Sequence, residues 1–200
     1  MMTTLATYFD RVGYTGNASV SMETLQTVHL HHTQAIAFEN LNPFLGWPVP
    51  LDTASLQEKL VNSRRGGYCY EQNLFFKHVL ETIGFRVTGL AARVVWNMTP
   101  DVVLPRTHML MRVEARGESF IADVGFGSLT LTAPLRLQLE TRSTRRTVPF
   151  AWCAKLRNSY WRLNSVMNGS SFTGSRYTST CCRITKWRTT MFPAIRSRGL

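Results

Sequence analysis

Apolar and polar positions alternate along the first part of the chain with the period of a helix. Leu25, Val28, His29 and His32 fall on one face, and Ser21 stands ahead of them as an N-cap whose hydroxyl can accept from the free first-turn N–H groups. Ser55-Leu56-Gln57-Glu58 has the pattern of a capping box and predicts a second helix running through Leu60 and Val61. After Gly66-Gly67, a third helix places Phe75, Phe76, Val79, Leu80 and Ile83 on one broad face, and Gly84 is placed to end it. The texture changes beyond that point. Val87 to Trp96, His108 to Ala115 and Ser119 to Val124 are rich in β-branched and aromatic residues and predict strands. Arg116-Gly117 between the last two predicts a two-residue hairpin turn. The expected fold class is therefore α+β, with a helical N-terminal domain over residues 1–85 and an antiparallel sheet over 86–140.

Residues 141–200 show neither period. Ser, Thr, Arg, Trp and Cys are scattered there without an amphipathic pattern. Charge divides at the same place. The chain has a formal net charge of +11, but residues 1–137 hold 11 basic and 11 acidic residues, whereas 138–200 hold 12 basic residues and one acid, Glu140. Cysteine follows suit: Cys69 stands alone in the front part, and Cys153, Cys181 and Cys182 lie in the tail. A basic excess confined to a patternless tail argues against a nucleic-acid or membrane partner for the folded part. The N-terminal residues lack a secretory leader pattern, and no stretch has the length and apolarity of a membrane span, so a cytoplasmic location is expected. His29, His31 and His32 have no cysteine or acid at ligand spacing, and no metal is expected on them.

Acyl transfer through cysteine needs a thiolate, a base that holds the proton and a group that orients the base. Cys69 suits the first role, because the glycine pair lets the backbone turn tightly and the helix N-terminus that follows favours negative charge. Glu71 and Asn73, just inside that helix, can bind neighbouring backbone or Arg65 and hold the loop. Hairpin register relates the other two groups. With a turn at Arg116-Gly117, Ala115 opposes Glu118 and His108 opposes Gly125, which leaves Asp123 on the same face as His108 as a diagonal neighbour. Nothing in the chain order brings Cys69 to that pair; tertiary packing must do so.

The run Arg65-Gly66-Gly67-Tyr68-Cys69-Tyr70-Glu71-Gln72-Asn73 resembles the nucleophile signature of the arylamine N-acetyltransferases. Three further segments resemble that family in the same order. They are Ile36 to Leu41, with Ala37 where proline is usual, Pro105 to His108, and Ala122 to Gly127. The resemblance runs from about Tyr8 to Leu137. It implies Cys69 as nucleophile, His108 as base and Asp123 as its orienting partner, within a cysteine-proteinase-like core whose sheet is barrel-like. It also implies acetyl-CoA as the acetyl donor, an arylamine or arylhydrazine as acceptor, and ping-pong chemistry through an acetyl-cysteine. Phe38, Phe126 and Gly127 are the candidates for the wall against a flat aromatic substrate. No residues are assigned to coenzyme A, and no oligomeric state follows from the sequence.

The family continues into the rest of a sheet domain and a third, lid-like domain, whereas the resemblance here stops soon after Leu137. Reading the last base of each codon with the first two of the next allows Arg145 to Ala154, Met167 to Ser175 and Cys181 to Arg196 to be recoded into text resembling the family. The tail over 141–200 is accordingly expected to be out of frame and the lid domain missing, with weak activity or none. Two rivals stay open: a cysteine hydrolase of the papain or transglutaminase type, with the same order of Cys, His and Asp, and a basic protein that binds through its tail.

Overall fold

The computed structural model describes residues 5–94 and 104–137, together with the backbone of residues 162–163, 181–182 and 184–186. Helix α1 (Leu5–Val12) buries Tyr8 and Val12. Helix α2 (Met22–Ala35) begins as the sequence predicts, with the Ser21 hydroxyl accepting from the Thr24 N–H at 3.1 Å and Leu25, Val28, His29 and His32 turned inward. The short α3 (Leu41–Phe44) follows. Helix α4 (Thr53–Gln57) departs from the sequence reading, because its cap is Asp52, not Ser55. The Asp52 carboxylate accepts both the Ser55 N–H and its hydroxyl, which places Ser55 inside the first turn. Glu58 instead accepts from Asn62 and Ser63 across a π-helical turn, Glu58–Asn62, that carries Leu60 and Val61. A carboxylate is at least as good a cap as a serine hydroxyl, so the acid three residues upstream takes the position.

Helix α5 (Cys69–Ile83) is the spine of the molecule. Phe75, Phe76, Val79 and Leu80 are fully buried on its inner face, and Gly84 ends it in the left-handed region at φ +111°. Each such side chain contributes about 1.5–3 kcal/mol of apolar burial. The face packs on Tyr8, Leu25 and Val28 from the first two helices and on Met111, Val113 and Ala122 from the sheet, so helices and sheet share one core.

Strands β1 (Arg86–Ala92), β2 (His108–Ala115) and β3 (Glu118–Ala122) form an antiparallel meander. Arg116 (φ +52°) and Gly117 (φ +75°) make the two-residue turn, and Ala115 pairs with Glu118 as predicted. Two successive residues at positive φ match the right-handed twist of the flanking strands. β1 is shorter than the predicted Val87 to Trp96; part of that prediction lies outside the described residues. β3 ends at Ala122, so Val124 belongs to the loop beyond. Strand β4 (Leu135–Arg136) pairs with β3, and the two-residue strands β5 (Arg162–Leu163) and β6 (Cys181–Cys182) pair in parallel with each other. β7 (Ile184–Lys186) pairs with β1. The sheet order is β4-β3-β2-β1-β7, and among the described residues it is open, which corrects the barrel-like expectation. Its edges are strands of two and three residues, too short to tilt and pair around a closed cylinder. The out-of-frame reading of 141–200 otherwise falls outside the described residues. Among the described residues, large apolar side chains are exposed at Phe38, Leu41, Phe44, Leu45 and Trp47, and at Val20 and Leu129.

Candidate active site

Three elements meet at Cys69. The first residue of α5 carries the thiol, half-buried, with its S–H directed at the Thr107 carbonyl oxygen 3.8 Å away. β2 begins at the next residue, His108, and the loop leaving β3 supplies Asp123. The His108 Nε2–H donates to Asp123 Oδ2 at 2.7 Å, and both side chains are buried. Tertiary packing thus joins the thiol to the histidine–aspartate pair, which meets beyond the end of the β2–β3 ladder at Met111 and Ala122, not through the expected pairing of His108 with Gly125.

The approach is close because of Gly125. A Cβ on that residue would sit 2.8 Å from Cys69 Cα and 3.0 Å from Asn73 Nδ2. Only a glycine lets the aspartate loop lie directly on the first turn of α5. Gly66 plays the same part on the other side of the nucleophile, where a Cβ would meet the Ala37 carbonyl oxygen at 2.2 Å. There Gly67 pairs with the segment around Phe38: its N–H donates to Ala37 O and its carbonyl accepts from the Glu39 N–H. The signature therefore docks onto the segment Ile36–Leu41 through backbone bonds.

Asn73 is the member of the signature whose role the sequence did not reveal. One helical turn beyond Cys69, it donates to Asp123 Oδ1 at 2.9 Å and to the Met109 carbonyl at 2.8 Å. Its own oxygen accepts from the Val124 N–H at 3.0 Å. Spacing of i and i+4 from Cys69 was the available signal, since it puts both residues on one face of the helix. Glu71 holds the helix entry, accepting from the Tyr68 N–H at 3.0 Å and from Lys59 Nζ at 2.7 Å. Arg65 does not reach Glu71 or Asn73. It pairs with Glu39 and Asn42.

Electrostatics follow from this packing. Burial pulls the His108 imidazole down, but the Asp123 charge and hydrogen bond, with the neighbouring Cys69 side chain, push it up to about 10. Burial opposes ionisation of Asp123 as well, yet His108, Asn73 and the Gly125 N–H together hold its carboxyl below the usual carboxylate range. His108 consequently carries a proton at neutral pH. Phe126 lies edge-on to the His108 ring, with centroids 5.0 Å apart at 77°. Phe38, 45% exposed, lies against Gly127, whose Cβ would be 3.7 Å from the ring. Phe126, Gly127 and Phe38 thus form a continuous edge beside the histidine. His29 and His32 turn into the core, where burial takes them down to about 4 and about 3. His31 bonds the Val12 carbonyl.

A family profile described as N-acetyltransferase matches residues 21–189. The arylamine N-acetyltransferase of Escherichia coli K12 is 51% identical over 130 residues, which is 65% of this chain and 46% of that protein. The chain belongs to the arylamine N-acetyltransferase family. A Salmonella typhimurium relative, named as arylamine N-acetyltransferase and N-hydroxyarylamine O-acetyltransferase, is 47% identical over 140 residues, 70% of this chain and 50% of that one. Among solved structures of arylamine N-acetyltransferases, the Salmonella typhimurium protein superposes with a TM-score of 0.66 at 46% identity, over 72% of this chain and 52% of its own. The Mycobacterium marinum protein in complex with CoA gives a TM-score of 0.65 at 44% identity, over 73% and 55%. The chain spans about half the length of the family members it matches.

Proposed function

We propose that this chain carries the acetyl-transfer site of an arylamine N-acetyltransferase, with Cys69 as nucleophile, His108 as proton carrier and Asp123 as its orienting partner. The observation that carries the reading is the Cys69, His108 and Asp123 assembly, held from behind by Asn73 and Gly125. A cysteine sulfur on a helix N-terminus beside a charged imidazole is placed to act as a nucleophile through its thiolate. It attacks the thioester carbonyl of acetyl-CoA. As the tetrahedral intermediate collapses, the carbon–sulfur bond to coenzyme A breaks and the departing thiolate takes the proton from His108. Acetyl-Cys69 remains, next to a neutral imidazole.

An arylamine or arylhydrazine nitrogen then attacks the acetyl carbon, and His108 receives the nitrogen's proton as the Cys69 thiolate leaves. The two half-reactions share one site, so the kinetics are ping-pong. With Nε2 committed to Asp123, Nδ1 is the nitrogen available for both proton transfers. Phe38, Phe126 and Gly127 flank the acceptor; an aromatic ring against exposed Phe38 gains apolar and edge-to-face contact. A nucleophile at a helix N-terminus facing a histidine and an acid on a sheet is also the logic of cysteine proteinases. Acceptor choice separates the two chemistries.

The test is to mix the purified chain with acetyl-CoA and follow intact mass. One acetyl adduct on the peptide containing Cys69, released coenzyme A, and discharge of the adduct by 5-aminosalicylate are expected. Cys69→Ala should abolish all three. Turnover is expected to be weak or absent relative to relatives about twice as long, while the first half-reaction persists. Discharge to water at the same rate with and without amine would make the chain a hydrolase, and failure to form the adduct would remove the acetyltransferase reading.

A further inference from the structure

The aspartate is held by more than its carboxylate. β2–β3 pairing ends at Met111 and Ala122, so the Asp123 N–H emerges beyond the ladder, in the buried core. It donates to His29 Nε2, at 3.4 Å a long bond that spans 94 residues of sequence. His29 sits in the middle of α2, fully buried, with its ring edge-on to Phe76 at 5.7 Å and 83°. The next N–H of the loop, that of Val124, is anchored by Asn73 Oδ1 at 3.0 Å. The Asp123 carboxylate is held from the α5 side by Asn73 and from its own loop by the Gly125 N–H.

We propose that His29 is a positioning residue for the nucleophile: a neutral imidazole, protonated on Nδ1, that accepts the Asp123 N–H and so fixes the direction in which the carboxylate meets His108. The inference rests on the assignment of Cys69, His108 and Asp123 above. Acceptance at Nε2 requires the lone pair there, which a charged ring would lack. Burial supplies that condition, since it opposes protonation of His29 more strongly than the nearby Asp123 charge favours it. The groups acting on the ring are the Asp123 charge and the backbone of Asp123 and Thr132, all of which favour protonation and are outweighed by burial, while Nδ1 has no partner among the described residues. Losing the acceptor leaves a buried N–H unpaired and frees the loop to turn, which weakens the short bond to His108 Nε2.

The readout is the rate of Cys69 alkylation by iodoacetamide, profiled across the pH range by peptide mass mapping. In the unsubstituted protein that rate should depend on His108 and fall in His108→Gln; no fall would overturn the triad assignment itself, independently of His29. Given that dependence, His29→Leu should lower the rate profile approximately tenfold. His29→Gln, whose amide oxygen can stand near the Nε2 position, should restore most of it. A structural role alone would lower the melting temperature of both variants and leave the profile in place, and that result would overturn the proposal. Equal profiles for Leu and Gln would overturn it too. Nitrogen-15 NMR of the unsubstituted protein gives a check independent of variant folding: His29 must be neutral with its proton on Nδ1 at neutral pH, and an Nε2–H tautomer would overturn the proposal.

Discussion

Asn73 engages three partners with one amide, and all three belong to strands or loops remote in sequence. Its removal leaves Asp123 Oδ1 short of a donor and strands the Met109 carbonyl and the Val124 N–H in the core. Buried groups left unpaired cost about 1–3 kcal/mol each, though relaxation and entering water recover part of it. Asn73→Ala should therefore lower the unfolding free energy by about 2–4 kcal/mol and slow acetylation of Cys69 at least about tenfold, by loosening the aspartate. Urea denaturation and a single-turnover assay measure the two effects. Loss of stability with acetylation intact would show that Asn73 serves only the fold. Asn73→Asp is the sharper variant, because a second carboxylate beside Asp123 repels it and competes for His108.

At the scale of elements, the site is a junction of α5, β2 and the loop after β3, and Gly125 sets how near they come. Its missing Cβ faces Cys69 Cα, a backbone atom that cannot rotate away. Gly125→Ala should push the aspartate loop outward, with about 1–3 kcal/mol of overpacking strain and a loss of acetylation of roughly a hundredfold. Acetylation at the unsubstituted rate would mean that the loop yields without consequence. Much of this junction was legible beforehand. The face of α5, its N-terminal position for Cys69 and the Arg116-Gly117 turn are local patterns; the expected pairing of His108 with Gly125 does not form, since the β2–β3 ladder stops at Met111 and Ala122 and the histidine meets Asp123 beyond it. What escaped was non-local or competitive. Asp52 displaced Ser55 as the cap because two acceptors were available and only geometry chooses between them. Lys59 reaching Glu71 from a π-helical turn, Asn73 reaching Asp123 and His29 reaching its N–H leave no periodic trace in the chain. Sheet closure was equally hidden, since it depends on the pairing of β4 and β7, short edges far apart in sequence.

For the whole molecule, the buried histidines set how stability depends on pH. The folded chain holds His29 and His32 neutral down to about pH 4 and about pH 3, because burial penalises the charged ring and, for His32, the His29 charge opposes it further. Once unfolded, both take up protons near the ordinary histidine value of about 6.5. Between those limits the unfolded chain binds more protons, so their contribution is complete above about pH 6.5 and is lost as pH falls toward 4. With two protons involved, the slope approaches about 2.7 kcal/mol per pH unit. His108 acts in the opposite window. Raised to about 10 by Asp123 despite its burial, it contributes fully below about pH 6.5, and that contribution is lost as pH rises toward 10. Asp123, held below the usual range, loses its own contribution only as pH drops through and below that range. Stability should consequently peak near pH 6.5, with an acid limb from His29 and His32 and an alkaline limb from His108. Urea midpoints between about pH 4.5 and 9.5 trace both limbs. His29→Gln should halve the acid slope and spare the alkaline one, while His108→Gln should remove the alkaline limb and spare the acid slope. A midpoint flat from about pH 4.5 to 6.5 would mean that the core histidines are not held neutral, and the packing around Asp123 would then need a different account.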